Sequence, residues 1–148
     1  MEINPGVGIG ELRFGQSDAE VEASIGTPDR IEEERYEGDR SLAWHYPAMG
    51  LSVYFEPDPG MRLVMIDVDE PEVRFGGLAP IGLEEDDLLE RLAEIGEVVL
   101  EEEFDELDRR VYDLVDTGVW FWVHAGRCDS VQVSVLVDSD DEYVWPRP

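Results

Sequence analysis

The chain has no lysine, one cysteine (Cys128) and two histidines (His45 and His124) in 148 residues. A single cysteine excludes an internal disulfide, so packing and hydrogen bonding must hold the fold. Two histidines and one cysteine also leave few soft ligands for a zinc site, which needs at least three protein donors. No stretch approaches the ~18 apolar residues of a membrane span. The opening residues, Met1-Glu2-Ile3-Asn4-Pro5, lack the basic and apolar parts of a signal peptide. A cytoplasmic protein with no membrane partner is therefore expected.

What is abundant is negative charge. Thirty-seven acidic residues face 11 basic ones, all arginine, for a net charge of −26. Such a field repels phosphate backbones, so no nucleic-acid partner is expected. The acids are spread along the chain, at 32–34, 84–87, 101–103 and 138–142. A distributed acidic coat without lysine has the character of a salt-accumulating proteome, where a Debye length of ~3 Å in molar salt screens self-repulsion. The rival reading, a nucleic-acid mimic, requires the acids to gather on one face. Hydrophobic residues make up 43% of the chain, enough for a packed interior.

Chemical signatures are thin. His124 and Cys128 could supply two metal ligands, but His45 is the only other histidine. Cys128 as a nucleophile would need a positioned base, and His124 is merely near in sequence. The run 138–142 resembles a calcium loop in composition, without the central glycine or distal glutamate of one, and is expected to be a solvated acidic C-terminal tail. Gly6-x-Gly8-x-Gly10 lacks the spacing of a dinucleotide loop. No catalytic residue, metal or cofactor is expected.

The strongest pattern is an internal duplication. Tyr36, Trp44, Tyr46, Gly50, Val53 and Phe55 match Phe104, Tyr112, Leu114, Gly118, Phe121 and Val123, each 68 residues on. Gly15 matches Gly82 at 67 and Gly26 matches Gly96 at 70; Val64, Ile66 and Val68 match Val131, Val133 and Val135 at 67. Each copy opens with a helix. In the first, Ser17-Asp18-Ala19-Glu20 is a capping box, Val21 and Ile25 share a face, and Gly26 with Pro28 ends it. In the second, Glu84 to Asp87 fill the first turn, Leu88, Leu89, Leu92 and Ile95 form the stripe, and Gly96 ends it.

Four strands then follow in each copy, near 30–36, 41–46, 51–56 and 61–69, then 98–104, 109–115, 119–124 and 130–137. Turns fall at Glu37-Gly38-Asp39, Met49-Gly50, Asp58-Pro59-Gly60, Thr117-Gly118 and Ala125-Gly126. A lead strand, 8–14, and a linking strand, 72–75, complete the set. The expected fold is α+β: two tandem helix-plus-four-stranded antiparallel sheet repeats, 1–75 and 76–148, within one compact domain.

Alternation separates two faces. One carries Leu42, Trp44, Tyr46, Leu51, Val53, Phe55, Val64, Ile66 and Val68, then Tyr112, Leu114, Val119, Phe121, Val123, Val131, Val133 and Val135. It should pack on the helices. The opposite face carries Ala43, His45, Tyr54, Glu56, Met65 and Asp67, then Asp113, Trp120, Trp122, His124, Gln132 and Ser134. Aromatic side chains among polar ones mark protein-binding hot spots. Trp120, Trp122, Tyr54, His45, His124 and Met65 are thus the candidate partner-binding residues. The competing reading is that the two sheets, or a dimer partner, cover this face.

The string Gly8-Ile9-Gly10-Glu11-Leu12-Arg13-Phe14-Gly15-Gln16-Ser17-Asp18-Ala19-Glu20-Val21, closing with Ile25-Gly26-Thr27-Pro28, resembles the opening motif of the beta-lactamase-inhibitor-protein-like and outer-membrane-lipoprotein SmpA/OmlA repeat. The chain is also similar to uncharacterised two-repeat bacterial cytoplasmic proteins with a mid-chain Pro-x-Val-x-Phe-x-Gly, here Pro71 to Gly77. The resemblance implies helical segments on four-stranded sheets in tandem, and an aromatic sheet face presented to a protein partner. A non-enzymatic, inhibitor- or immunity-like binding module is the leading expectation. The alternative is a small-molecule binder or hydrolase using a pocket between two sheets, edged by His45, His124 and Cys128.

If self-repulsion among the distributed acids strains the fold at low salt, raising KCl from about 0.1 M to about 2 M should raise the thermal midpoint. Circular dichroism melts across that range check it. A flat or falling midpoint would show that repulsion is not a significant strain.

Overall fold

In the computed structural model, the residues described are 1–36, 38–57, 60–95, 99–104, 109–114 and 116–146. The chain begins with three two-residue strands, β1 (Ile3–Asn4), β2 (Gly8–Ile9) and β3 (Leu12–Arg13), and helix α1 (Asp18–Ile25). Four longer strands follow: β4 (Arg30–Tyr36), β5 (Asp39–Tyr46), β6 (Leu51–Pro57) and β7 (Met61–Val68). After a long connection come helix α2 (Glu85–Glu94), β8 (Val99–Phe104), β9 (Arg109–Leu114), β10 (Val119–His124) and β11 (Arg127–Ser134). A final hairpin joins β12 (Leu136–Val137) to β13 (Tyr143–Val144).

The expected pair of helix-plus-four-stranded repeats is corrected. β4 to β7 and β8 to β11 are each meanders, but they do not form two sheets. β7 pairs antiparallel with β11, giving one eight-stranded sheet in the order β4-β5-β6-β7-β11-β10-β9-β8. The protein is mostly β, and the helices are minor. α1 spans 8 residues and buries only Val21; α2 spans 10 and buries Leu88 and Leu92. Three buried helical side chains cannot cover eight strands, so irregular segments complete the cover. The small sheet β1-β2-β3 and its flanks supply Ile3, Ile9, Leu12 and Phe14, and the connection before α2 supplies Val73, Phe75 and Leu78.

Local chemistry explains where the helices begin. Ser17 Oγ accepts from the Glu20 amide at 3.1 Å, and Glu20 Oε1 accepts from the Ser17 amide at 3.3 Å, so the capping box forms as its spacing predicts. Gly26 closes α1. α2 begins without a side-chain cap, but Glu85, Asp86 and Asp87 lie in its first turn, where the helix dipole favours them. It ends at Glu94, and Ile95 is 39% exposed rather than part of the buried stripe.

The apolar face is buried as its alternation predicts, from Leu42 through Val135, and it merges into one core with the covering segments. Each fully buried Val, Leu or Phe there is worth about 1.5–3 kcal/mol of transfer free energy. Trp44 meets Phe55 edge-on at 4.8 Å, and Phe75 from the connection meets Phe121 at 5.8 Å.

Three further expectations change. β7 and β11 correspond at an offset of 65, not 67: Val53 pairs with Ile66 where Phe121 pairs with Val131. Both hairpins carry the same register shift, between Tyr54 and Phe55 and between Trp122 and Val123, so the bulge leaves the offset unchanged; it is the first turn that is three residues longer, Phe55 pairing with Leu63 where Val123 pairs with Cys128. The lead strand 8–14 breaks into β2 and β3, outside the main sheet, and the linking strand makes only isolated bridges, Glu2 with Arg74 and Phe75 with Leu78. The acidic run 138–142 is a hairpin turn, in which Asp138 Oδ1 accepts from the amides of Asp140 and Glu142. The expected turns at Glu37-Gly38-Asp39 and Asp58-Pro59-Gly60, the terminal Gly96, and the ends of the strands placed at 98 and 115 involve residues outside the described set. Among the described residues no helix is long and apolar enough to cross a membrane.

Gly8 has φ +150°, and a Cβ there would lie 1.9 Å from the Leu12 carbonyl oxygen; Gly126 has φ +83° with open space around it. Gly126→Ala should cost only the left-handed backbone penalty, about 1–2 kcal/mol. Gly8→Ala should cost clearly more, because β2 and β3 must move apart. Urea unfolding of the two variants measures the difference, and equal losses would contradict the close approach.

Candidate functional site

The face opposite the core carries the candidate site. Residues directly opposite in a ladder point to the same side of a sheet. One such row runs Arg30, His45, Ser52, Asp67, Gln132, Trp120, Asp113 from β4 to β9. The β7–β11 seam therefore places Asp67 of one half beside Gln132 of the other.

A trough of about 630 Å³ crosses this face, lined by Arg30, His45, Ser52, Asp67, Gln132, Ser130, Trp122, His124 and Arg109, with Gly50, Asp69 and Asp129 among its other walls. Two arginine–histidine pairs mark its ends. Arg30 is the cross-strand partner of His45, and Arg109 of His124. A smaller hollow of about 410 Å³ adjoins it, lined by Tyr54, Met65, Ala43, Glu32, Glu34, Glu56 and Tyr143, and again by His45.

The six candidate residues are thus only partly brought together. His45, Trp122 and His124 share the trough; Tyr54 and Met65 belong to the smaller hollow with His45; Trp120 lines neither. Arg30, Arg109, Asp67, Gln132, Ser52 and Ser130 were not among the candidates. Their types carry no motif, and only the ladder register assembles them.

Hydrogen bonds fix the middle of the site. Trp122 Nε1 donates to Gln132 Oε1 at 3.2 Å, and Gln132 Nε2 approaches Met65 Sδ at 2.8 Å, a relay from β10 across the seam to β7. His45 Nδ1 and Ser52 Oγ are 2.8 Å apart, and His45 Nε2 lies 3.4 Å from Glu32 Oε1. Tyr54 donates to Asp67 Oδ2 at 2.9 Å. Tyr143, from the C-terminal hairpin, donates to Glu56 and closes one side of the smaller hollow.

Burial pushes the Asp67 carboxyl above its usual range, although the Tyr54 hydroxyl and the nearby His45 pull the other way. Burial and the adjacent Asp67 charge hold the Tyr54 phenol protonated, well above its ordinary value. Cys128 belongs to the core and not to the trough: it is 1% exposed, and burial, aided by the Asp129 charge, pushes its thiol up to about 12. It therefore supplies neither thiolate nor ligand at neutral pH. Among the described residues, no group of three His, Cys, Asp or Glu side chains could hold a metal ion.

No protein-family model matches the chain, and no curated protein is significantly similar in sequence. Similarity is found among solved structures. The uncharacterized protein YfeY from Escherichia coli superposes with a TM-score of 0.56 at 12% identity, covering 87% of this chain and 97% of that one. At that identity the likeness concerns the fold. An extracellular protein containing an SCP domain from Bacillus anthracis str. Ames gives a TM-score of 0.47 at 13% identity, covering 90% of this chain and 49% of that one.

Two tests follow from these environments. Asp67 has a raised folded pKa, so its burial costs stability above the unfolded carboxylate pKa, and the cost disappears once both states are protonated. Asp67→Asn keeps an acceptor for Tyr54, so it should raise the urea midpoint at neutral pH, with the gain vanishing on acidification. An unchanged or lowered midpoint at neutral pH would contradict it. For Cys128, the unfolded thiol ionises first, so stability should be unaffected below about pH 9 and fall between there and about pH 12. At neutral pH a thiol reagent should label it only at the rate of unfolding, and rapid labelling of the native protein would contradict its burial.

Proposed function

We propose that this chain is a non-enzymatic binding protein that receives an extended segment of a partner protein in the trough on its open sheet face. The observation that carries the reading is the shape and reach of the trough. It is lined from Arg30 on β4 to Arg109 on β9, six inter-strand steps across the sheet. At ~4.8 Å per step that is about 29 Å on an unbent sheet, the length of roughly eight or nine extended residues. A volume of about 630 Å³ drawn out in this way suits a chain segment better than a compact metabolite.

The lining supports the same reading. Trp122 offers a rigid amphipathic surface, tethered by Gln132, in the middle of the trough. Charges of both signs and several hydroxyl and amide groups around it provide direction and register, as at the polar rim of an interface. An inhibitor- or immunity-type role needs nothing more than such a surface.

A second reading has one observation in its favour. Ser52, His45 and Glu32 stand in the order of a nucleophile, base and orienting acid, at 2.8 Å and 3.4 Å. Yet Ser52 lies inside a strand paired on both sides, so its amide belongs to the ladder rather than to an oxyanion hole. Glu32 is also claimed by Arg30 at 2.8 Å. The binding reading is preferred for these reasons.

Selection of random displayed peptides on the full chain, followed by amide chemical-shift mapping, separates the readings. Binders should perturb His45, Trp122, His124 and Gln132. Trp122→Ala should weaken binding about thirtyfold or more, as truncation of an interface anchor does. Trp120→Ala should leave it nearly unchanged. Shifts mapping elsewhere would sink the site. Turnover of p-nitrophenyl acetate that is lost in Ser52→Ala would establish the hydrolytic reading instead.

A further inference from the structure

We propose that the Arg109–His124 end of the trough is a carboxylate-recognition site, an inference that rests on the trough being the place where a segment binds. The other described arginines are engaged within the chain. Arg30 meets Glu32 at 2.8 Å, Arg35 and Arg40 share Glu33 at 3.1 and 3.0 Å, and Arg91 meets Glu94 at 3.6 Å. Arg110 meets Glu85 and Arg127 meets Glu84, each at 3.2 Å. Arg62 donates to the Gly15 carbonyl at 3.1 Å, Arg74 to that of Glu72 at 3.0 Å, and Arg13 is engaged as well. Among the described residues, Arg109 is the one arginine with neither an ion pair nor a hydrogen bond. The chain offers 37 carboxylates to 11 arginines, so an unengaged guanidinium on a trough wall stands out.

His124 strengthens the point. It is the cross-strand partner of Arg109, lines the same trough, and also lacks a hydrogen-bond partner among the described residues. Side chains directly opposite in a ladder start about 5 Å apart at Cβ. A guanidinium fork and an imidazole N–H so placed suit a planar carboxylate, which the fork grips through two parallel hydrogen bonds. The surrounding charge selects among anions. Asp69 and Asp129 also face the trough, and the whole chain carries −26. A doubly charged phosphate is opposed about twice as strongly by that field as a singly charged carboxylate. An isolated anion gains too little to stay, so the carboxylate belongs to a segment held along the rest of the trough.

The other end differs. Arg30 is already neutralised by Glu32. The two arginine–histidine pairs therefore give a bound segment a direction, with its carboxylate at β9 and β10. That carboxylate comes either from an aspartate or glutamate side chain or from a chain terminus.

Random peptide arrays made in three forms distinguish these sources: C-terminal amides without acidic residues, C-terminal amides containing Asp or Glu, and free C-termini without acidic residues. The full chain, Arg109→Gln and Trp122→Ala are compared on all three. The wild-type chain should bind one or both carboxylate-bearing forms about tenfold or more tighter than the neutral form, the size expected for a charge-assisted hydrogen-bonded pair. Arg109→Gln should erase that preference while retaining the neutral binding and the unfolding midpoint. The preferred form identifies the carboxylate's source. Absence of a preference, or a preference that survives in Arg109→Gln, overturns this inference; binding that still depends on Trp122 would then leave the trough as a peptide site. Failure of every form to bind the wild-type chain overturns both.

Discussion

The pairing of β7 with β11 is the contact on which the rest of the molecule depends. Four residue pairs, from Val68 with Val131 to Met65 with Ser134, join the last strand of one meander to the last strand of the other. That pairing consumes two strand edges and leaves only β4 and β8 exposed at the ends of the sheet. Both end strands carry consecutive glutamates, reading Arg-Ile-Glu-Glu-Glu-Arg-Tyr and Val-Leu-Glu-Glu-Glu-Phe. Charge on an edge strand discourages further strand addition, so the sheet stops growing where it should.

The same seam makes each face continuous. On one side the apolar residues of both meanders form one core, too broad for an 8-residue and a 10-residue helix to cover. Loops, a miniature sheet and the C-terminal hairpin take up the remainder. Trp145 illustrates the fit: a Cβ on Gly15 would come within 3.1 Å of its ring. On the other side, polar residues that lie about 65 positions apart in sequence become neighbours. Asp67 faces Gln132, and Gln132 in turn ties Trp122 to Met65. The trough is a property of the fused sheet, and neither meander contains it alone.

Electrostatics give this trough its character. Most arginines are spent in short ion pairs with an excess of carboxylates, which lowers local repulsion without removing the net charge. Such exposed pairs contribute little to stability individually. Against that background, the trough concentrates both histidines, an arginine that has no partner among the described residues, and a tryptophan anchored by an amide. The rarity of these residues in the chain and their convergence in space are independent facts that point to one region.

Several features were legible in the residues themselves. The Ser17–Glu20 box started a helix because the two side chains satisfy each other's backbone donors within one turn. Alternation separated the buried face from the open one, since a strand turns successive side chains to opposite sides. His45, Trp122 and His124 were recognisable on that open face. Local pattern could not reveal that the first hairpin's turn is three residues longer than the second's, which sets the β7 and β11 offset at 65. Nor could it reveal that two meanders close into one sheet. Edge-to-edge pairing is a backbone interaction that leaves no mark on side-chain periodicity. The sequence by itself determined which residues are apolar, where helices begin and which face stays polar, because those depend on neighbours within a few positions. The tertiary structure alone decided that Arg109, His124, Asp67 and Gln132 share a trough with Arg30 and His45, because only the β7–β11 pairing brings the distant segments onto one continuous sheet face.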